Sequence, residues 1–439
     1  MKATSQISNL HPFPRQATPL GLVDRFSHVR KITESLVDGL SAEDCMVQSM
    51  ADASPVKWHL AHTSWFFETF VLTPQQQGYR PLDPRYRNFF NSYYNAVGDR
   101  PLRENRGVFS RPTLDDVNAY RRHVDEALLA LLANDDLAEA VKQTIVLGLQ
   151  HEQQHQELIV TDIKHGLWSN ALRPAFSAQM REATHCSRPT PRLRWHKYDA
   201  GMYEVGHNGC TFSFDNETPS HKVYLNGFQI ASRVMTNAEY MQFMMDDGYQ
   251  RPELWLSEGW ETVRTQDWLA PLYWEKRDDH WWSYTCQGMQ PVALDEPVCH
   301  ISYFEADAFA RWAGARLAAE AEWEEAASGV PIKGNFLEHG TFHPLATSEQ
   351  EQELSSVPGQ MFGDVWEWTQ SAYGPYPGYK PAPGALGEYN GKFMCNQYVL
   401  RGGSCATPQS HIRATYRNFF PAHARWQFSG VRLAKDLSV

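Results

Sequence analysis

The sequence predicts an α+β protein in which a bundle of helices precedes a domain of short strands. Apolar residues recur at three- and four-residue steps across 20–165, which is the period of one helix face. The composition then changes, because 173–194 is rich in Pro, Arg and Ser. Beyond it, Gly, Trp and Pro punctuate short β-like segments such as 221–230. We therefore expect a helical domain over 1–172, a linker over 173–194 and a second domain over 195–439.

Four helices account for the first domain. Thr113 is a typical N-cap residue, and the apolar positions that follow it form one stripe. A second long helix is predicted over 136–165, ended by Gly166. Segments 20–40 and 58–72 are two further helices. Helices of this number and length predict an antiparallel four-helix bundle. In the second domain, helices are expected over 304–313 and after Glu320.

The composition excludes several classes of protein. The chain has 439 residues, and 40 Lys and Arg against 51 Asp and Glu give a net charge of −11, which argues against a nucleic-acid partner. No apolar run approaches the roughly 20 residues that cross a bilayer, and the N-terminus lacks the apolar core of a signal peptide. The seven cysteines are irregularly spaced and form no CxxC. We expect a cytoplasmic protein that binds neither nucleic acid nor membrane.

The strongest local signal is a pair of histidines in the second long helix. His151 and His155 lie four residues apart, so both rings point the same way and resemble the two imidazoles that one helix supplies to a metal. Glu157 lies about 240° around the axis from His151, so we expect it to orient a ligand rather than to be one. The alternative is an ordinary pair of surface histidines.

A third ligand is predicted in the apolar helix over 58–72. His59 and His62 are three residues apart, and we favour His62 because its surroundings are more apolar, with His59 kept in reserve. Three neutral imidazoles would leave a divalent ion with its full charge and attract an anionic ligand such as a thiolate. Zinc, copper and nickel also accept imidazole, so the spacing does not identify the metal.

Tyrosines and arginines between these helices are further candidates. Tyr93 and Tyr94 could donate a proton near a metal, or they could be core aromatics. Arg100, Arg103 and Arg106 are spaced by three, and arginine can hold a substrate carboxylate through two hydrogen bonds. The alternative for the arginines is a solvated face.

Both halves of the chain resemble known families. The second half resembles the sulfatase-modifying-factor domain, a C-type-lectin-like fold, and the matching segments occur in the family's order at 234–240, 297–303, 312–323, 363–369, 400–404 and 430–432. The first half resembles the DinB-like bundle, whose metal ligands fit His62, His151 and His155.

The combination of these two domains is similar to the sulfoxide synthases of ergothioneine biosynthesis. This resemblance implies an Fe(II)- and O2-dependent enzyme that joins the sulfur of cysteine or γ-glutamylcysteine to C2 of the imidazole of hercynine. A sister branch, the ovothiol synthases, acts on histidine at another ring carbon. The implied partners are small molecules, and the oligomeric state stays open.

The resemblance also implies roles for individual residues. Gln154 resembles the family glutamine that contacts the ammonium end of the substrate. Asn418 resembles the asparagine that meets the hercynine carboxylate. Phe419 and Phe420 occupy the substrate-binding positions at which other members carry Trp-Asp.

A tyrosine near the iron is implied to steer the reaction towards C–S bonding and away from thiol dioxygenation. We favour Tyr94 or Tyr93, because the Phe-Phe pair indicates a different subgroup. Tyr376 and Tyr379 are the rivals, since some members place this tyrosine in that segment. In such a subgroup free cysteine is the expected sulfur donor, and Arg103 and Arg106 hold its carboxylate.

The sequence leaves four other functions open. A formylglycine-generating oxidase relies on a cysteine pair near the segment 401–404, but Cys405 is the last cysteine in the chain. A thiol transferase would use a zinc site in the bundle. An ovothiol synthase would act on histidine. A non-catalytic binding module would bind no metal at the three histidines.

Overall fold

The computed structural model describes residues 21–134, 136–176, 190–209, 211–347 and 357–437. The chain divides into two compact units. The first comprises Met1–Met180 together with Pro383–Tyr389, and the second comprises Arg181–Ala382 and Asn390–Val439. Most of the predicted linker lies outside the described residues. The inclusion of Pro383–Tyr389 in the first unit was not expected from the sequence.

Over its described residues, the first unit is a bundle of four long helices, as predicted. These helices are α1 (Leu22–Val37), α2 (Val56–Phe67), α5 (Leu114–Leu132) and α6 (Glu139–Ser169). Two short helices, α3 (Thr73–Gln75) and α4 (Tyr86–Phe89), lie between α2 and α5. Helix α2 packs against α5 and α6, and α1 packs against α6. Every residue of α2 is buried, which is typical of a helix enclosed on all sides.

The predicted helix ends were right at Thr113 and wrong at Gly166. The Thr113 hydroxyl accepts a hydrogen bond from the backbone N–H of Asp116, which caps α5. Helix α6 continues past Gly166 to Ser169. A Cβ at Gly166 would lie 3.0 Å from the Val47 side chain, so this glycine permits close packing and does not end the helix.

A buried ionic network fixes the rotation of α6. The Glu152 carboxylate accepts hydrogen bonds from Arg30 at 2.9 Å, from Thr33 at 2.7 Å and from Arg121 at 3.2 Å. These partners belong to α1 and α5, so the network joins three helices. Residues 151 and 152 are about 100° apart on a helix. Holding Glu152 among α1 and α5 therefore turns His151 and His155 towards α2.

In the described part of the second unit, short strands form four sheets. The first sheet has the order β1 (Trp195–Tyr198), β4 (Phe228–Ala231), β13 (Leu433–Asp436), β8 (Arg316–Leu317). The second has the order β11 (Asn418–Phe420), β10 (Tyr398–Arg401), β9 (Trp366–Ala372), β12 (Ser429–Gly430). The others are the hairpin of β2 (Gly201–Val205) and β3 (His221–Leu225) and the meander of β5 (Trp274–Arg277), β6 (His280–Thr285) and β7 (Gly288–Pro291).

Helices of the second unit accompany these sheets. They are α7 (Asn237–Met245), α8 (Ser257–Thr265), α9 (Tyr303–Trp312) and α10 (Glu320–Ala327). A further short helix, α11 (Glu388–Gly391), begins in the first unit and ends in the second. The predicted helices over 304–313 and after Glu320 are thus confirmed. Strand β13 is antiparallel to β4, with Ala434 opposite Ile230, so the end of the chain pairs with the start of the unit.

Residues from three of the motif segments form a buried cluster in this unit. The Glu367 carboxylate accepts hydrogen bonds from the Trp323 indole at 2.7 Å and from Arg432 at 2.7 and 2.8 Å. All three side chains are buried. A buried ion pair with satisfied hydrogen bonds is costly to break, so these motif residues hold the fold together. Among the described residues, no helix combines the length and the apolar character needed to span a membrane.

Candidate metal centre

Three histidines meet in the interior of the bundle. His62 comes from α2, and His151 and His155 come from α6. These residues are 1%, 6% and 8% exposed. Each ring offers one nitrogen, and these nitrogens all lie within 4.8 Å of one another. The Nε2 atoms of His151 and His155 are 3.1 Å apart. The structure therefore brings together the three residues predicted as metal ligands.

Aromatic rings hold the imidazoles in place. The His62 ring stacks on Trp58 at 4.4 Å and on Trp65 at 5.1 Å, measured between ring centroids. These tryptophans are four residues before and three residues after His62, so all three lie on one face of α2. The His151 ring stacks on Phe66 at 4.8 Å. Rings packed in this way lose little entropy when they bind a metal.

The protonation of these rings suits a metal. The His62 Nδ1–H donates to the backbone oxygen of Phe90 at 2.6 Å, which leaves Nε2 as the ligand atom. Burial lowers the pKa of His62 and of His155 well below the usual value, and it lowers the pKa of His151 to about 4. All three imidazoles are therefore neutral near pH 7, which is the form that ligates. The donor set fits a divalent transition metal.

His59, the predicted alternative to His62, contacts His155. Its Nδ1 is 2.8 Å from Nδ1 of His155, and its Nε2 is 3.0 Å from a carboxylate oxygen of Asp162. The same oxygen accepts the backbone N–H of Ser54 at 2.8 Å. A carboxylate that orients a histidine, which in turn orients a ligand, is typical of metal sites. Sequence reasoning missed Asp162, although its position seven residues after His155 places both on one face of α6.

The two predicted carboxylate-binding arginines differ in their surroundings. Arg106 is 3% exposed, its guanidinium lies 3.5 Å from the Trp58 ring centroid, and it donates to the Ser54 hydroxyl at 2.9 Å. No carboxylate among the described residues forms an ion pair with it. Burial lowers the pKa of Arg106 to about 9, so the group is still cationic at neutral pH. Arg103 is partly exposed and donates to the backbone oxygen of Asp52.

The two predicted tyrosines lie in a loop that contacts His62. Tyr94 is 4% exposed and packs against Trp65 at 5.6 Å between ring centroids. Burial raises the pKa of Tyr94, and the neighbouring Tyr389 adds to the shift. Tyr93 is half-buried, with Arg103 donating to its hydroxyl at 3.4 Å. In the same loop, the Ser92 hydroxyl lies 3.4 Å from Nε2 of His62.

Both halves of the chain match known protein families. The sequence profile of the sulfatase-modifying factor enzyme 1-like domain matches residues 197–354 and 359–437, and that of the DinB superfamily matches residues 25–159. A hercynine oxygenase of Mycobacterium tuberculosis is 31% identical over 96% of this chain and 100% of its own length. The chain belongs to the hercynine oxygenase family.

Other relatives agree with this hercynine oxygenase assignment. A hercynine oxygenase of Mycolicibacterium smegmatis is 30% identical over 95% of this chain and 99% of its own length. Ergothioneine biosynthesis protein 1 of Schizosaccharomyces pombe is 27% identical over 74% of this chain and 44% of its own length. The fold class and the family expected from the sequence are therefore confirmed, and the protein is an oxygenase that acts on small molecules. Family membership favours this activity over the thiol transferase and the non-catalytic module.

Two further residues that were predicted to serve the site lie on α6, which also carries His151 and His155. Gln154 is half-buried and immediately precedes His155, and Glu157 is buried. Their roles in contacting the substrate and in orienting a ligand stay predictions.

The two rival tyrosines take part in hydrogen bonds within the second unit. The Tyr376 hydroxyl donates to Glu320 at 3.2 Å and accepts from Arg401 at 3.1 Å. The Tyr379 hydroxyl donates to Asp215 at 3.2 Å. Both phenols therefore already have carboxylate partners.

The predicted hercynine-binding residues form strand β11 of the same unit. Asn418 pairs with Leu400 of β10, and its side-chain oxygen accepts the backbone N–H of Phe419 at 2.9 Å. The Phe419 ring stacks on Tyr373 with a centroid distance of 4.0 Å. Phe420 lies 6.3 Å from Trp426 between ring centroids. These contacts give the three side chains defined positions, and their role in binding hercynine stays a prediction.

Proposed function

We propose that this protein joins the sulfur of cysteine or γ-glutamylcysteine to C2 of the hercynine imidazole, using Fe(II) and O2. The reaction removes the thiol hydrogen and the C2 hydrogen and forms one C–S bond. One oxygen atom of O2 enters the product as the sulfoxide, and the other leaves as water. The proposal combines the oxygenase family with a site that suits a thiolate and an imidazole.

The observation that carries the proposal is the buried cluster of His62, His151 and His155. Three neutral imidazoles add no negative charge, so a ferrous ion held there would keep its full attraction for a thiolate. Bound iron supplies the one-electron chemistry that lets O2 react with closed-shell substrates. The protein's part is to hold the reactants together in a dry site, which makes their coupling effectively intramolecular.

The surroundings of Arg106 favour a substrate that carries a carboxylate. A buried guanidinium without a carboxylate partner among the described residues is costly, because its charge is removed from water. An incoming carboxylate would offset that cost through charge-assisted hydrogen bonds. Arg103, on the same 3-10 helix (Arg103–Val108), is the second candidate for this role. We propose that these arginines hold the carboxylate of the sulfur donor, with free cysteine as the favoured donor.

Tyr94 is the favoured proton donor for the histidine cluster. An ordinary phenol is protonated at neutral pH, as a donor requires, and burial raises the pKa of Tyr94 further. The hydroxyl makes no hydrogen bond to any residue that the structure describes, whereas the rivals Tyr376 and Tyr379 both donate to carboxylates. We therefore favour Tyr94, with Tyr93 as the second choice.

The cellular setting is also part of the proposal. In the described part of the chain, Cys45 and Cys395 are free thiols. Free thiols are typical of a reducing compartment. We propose a cytoplasmic enzyme.

The test is an anaerobic incubation with Fe(II), hercynine and one thiol, followed by admission of air and mass analysis. Parallel arms use cysteine and γ-glutamylcysteine, and another arm replaces hercynine with histidine. A product with the mass of hercynine plus thiol plus one oxygen minus two hydrogens supports the proposal. Coupling with histidine alone would indicate the ovothiol reaction instead. Oxidation of the thiol without any coupling in all arms would overturn the C–S assignment.

A further inference from the structure

Residues Pro383–Tyr389 belong to the helical unit. More than half of the second unit's sequence lies between them and α6, the last long helix of the helical unit. The segment is a 3-10 turn over Ala385–Gly387 followed by the start of α11. None of the motifs discussed above includes it. It contacts the loop of residues 91–98, which we call the tyrosine loop because it carries Tyr93 and Tyr94.

Glu388 makes the decisive contact. One oxygen of its carboxylate accepts the backbone N–H of Asn95 at 2.9 Å, and the other accepts the backbone N–H of Ala96 at 2.9 Å. Asn95 and Ala96 begin the 3-10 turn Asn95–Val97, and the first N–H groups of a helical turn have no partner within it. A carboxylate bound to two such groups forms charge-assisted hydrogen bonds in a fixed geometry.

The other end of the tyrosine loop is attached to His62 of the histidine cluster. The backbone oxygen of Phe90, just before the loop, accepts from Nδ1 of His62 at 2.6 Å. The Ser92 hydroxyl lies 3.4 Å from Nε2 of the same ring. The Asn91 side chain accepts from the N–H of Tyr94 and donates to its backbone oxygen, at 3.2 and 2.9 Å. Both tyrosines therefore lie between an end attached to His62 and an end attached to Glu388.

Tyr389 adds an aromatic contact to the same loop. Its ring lies 6.2 Å from that of Tyr93 between centroids. Glu388 thus binds the backbone after Tyr94, and Tyr389 contacts the ring of Tyr93.

We propose that Glu388 is a positioning residue that holds the tyrosine loop against His62 and so sets the place of the tyrosine hydroxyls. This inference rests on the proposed function, because the position matters only if a tyrosine steers the product. Without Glu388 the loop would keep its attachment to His62 and lose the two hydrogen bonds at Asn95 and Ala96. Beyond Tyr94 it would keep the bond that the Asn91 amide donates to the Gly98 backbone oxygen at 3.1 Å. The metal ligands would be unchanged, while the proton donor would be displaced.

The first test measures the loop directly and needs no turnover. Hydrogen–deuterium exchange is followed at the Asn95 and Ala96 amides of the full chain without metal. We expect roughly tenfold faster exchange in Glu388→Ala, an intermediate rate in Glu388→Gln, which keeps one acceptor oxygen, and no change in the control Glu126→Gln on α5. Equal protection in Glu388→Ala and the native chain would overturn the proposal.

The second test measures the product ratio with hercynine and cysteine. We expect Glu388→Ala to shift the ratio from sulfoxide towards cysteine sulfinate, with Glu388→Gln in between and with iron content unchanged. Loss of iron along with amide protection would make Glu388 a general structural residue and overturn the proposal, as would an unchanged product ratio after loss of protection. If Glu388→Ala does not fold, Glu388→Gln carries both measurements. Failure of the native chain to couple the substrates would instead overturn the proposed function, and the exchange result would still decide the attachment of the loop.

Discussion

The Nδ1 atom of His155 lies 2.8 Å from the Nδ1 atom of His59. Because Nε2 of His59 meets the Asp162 carboxylate, His59 donates a hydrogen bond from its Nε2–H and accepts one at Nδ1 from the Nδ1–H of His155. This direction leaves Nε2 of His155 with a free lone pair on the side of His62 and His151. Asp162 and His59 therefore prepare His155 as a ligand without entering the cluster themselves.

Removing this support should weaken metal binding without abolishing it. We expect His59→Ala and Asp162→Asn to reduce the affinity for Zn(II) or Fe(II) by about 10- to 100-fold, because the orientation and basicity of His155 depend on the chain of hydrogen bonds. Competition titration against a chelating dye measures the change. His123→Ala on α5 is the control. Native affinity in both variants would remove the supporting role.

Removing a ligand should abolish metal binding. We expect His151→Ala and His155→Ala to purify with less than a tenth of the native iron content after anaerobic loading, since two imidazoles rarely retain Fe(II). Metal analysis measures the loss, and circular dichroism checks that the helices and the second unit stay folded. Full iron content in either variant would contradict the three-histidine centre.

Replacing the favoured proton donor should change the product and leave metal binding intact. We expect Tyr94→Phe to shift the product from sulfoxide towards cysteine sulfinate, because this variant lacks the phenol that we propose as the proton donor. Mass analysis of both products gives the ratio, and Tyr93→Phe, Tyr376→Phe and Tyr379→Phe are compared in parallel. If the ratio is the same in all four variants, tyrosine has no part in the steering.

Replacing the buried arginine should weaken binding of the thiol through its carboxylate. We expect Arg106→Ala to raise the KM for cysteine by about 10- to 100-fold, which is the usual worth of hydrogen bonds to a charged group. Cysteamine, which lacks the carboxylate, provides the matched substrate, and its KM should change little. Arg122→Ala on the exposed face of α5 is the control. An equal effect on both thiols would assign Arg106 to packing against Trp58.

The buried histidines should make the metal-free protein sensitive to acid. The pKa of His151 is about 4 in the folded chain, against about 6.5 in an unfolded one. Between these values the unfolded chain binds more protons, so the free energy of unfolding falls as the pH falls. The full shift corresponds to on the order of 3 kcal/mol for His151 alone. Urea unfolding at pH 7.5, 6 and 5 measures the loss, and His151→Gln should show a smaller pH dependence; equal slopes would contradict it.

Much of the architecture was predictable because it depends on short-range patterns. The stripe after Thr113 and the capping chemistry specify α5 locally, and the same reasoning located α6 to within a few residues at each end. Gly166 was misinterpreted because glycine both ends helices and permits close packing. The sequence shows only the residue, and the Val47 side chain that explains it lies on another element.

The amino-acid sequence by itself determined the helical period, the four-residue spacing of His151 and His155, and the motifs that place the chain in its family, since each depends on residues close together along the chain. The sequence favoured His62 and kept His59 in reserve, and the tertiary structure decided between them. The packing of α2 on α6 turns His62 towards the cluster and His59 towards Asp162. The tertiary structure alone also brought Glu388 to the tyrosine loop. Such long-range contacts leave no periodic or local signal, because they arise only when distant segments pack together.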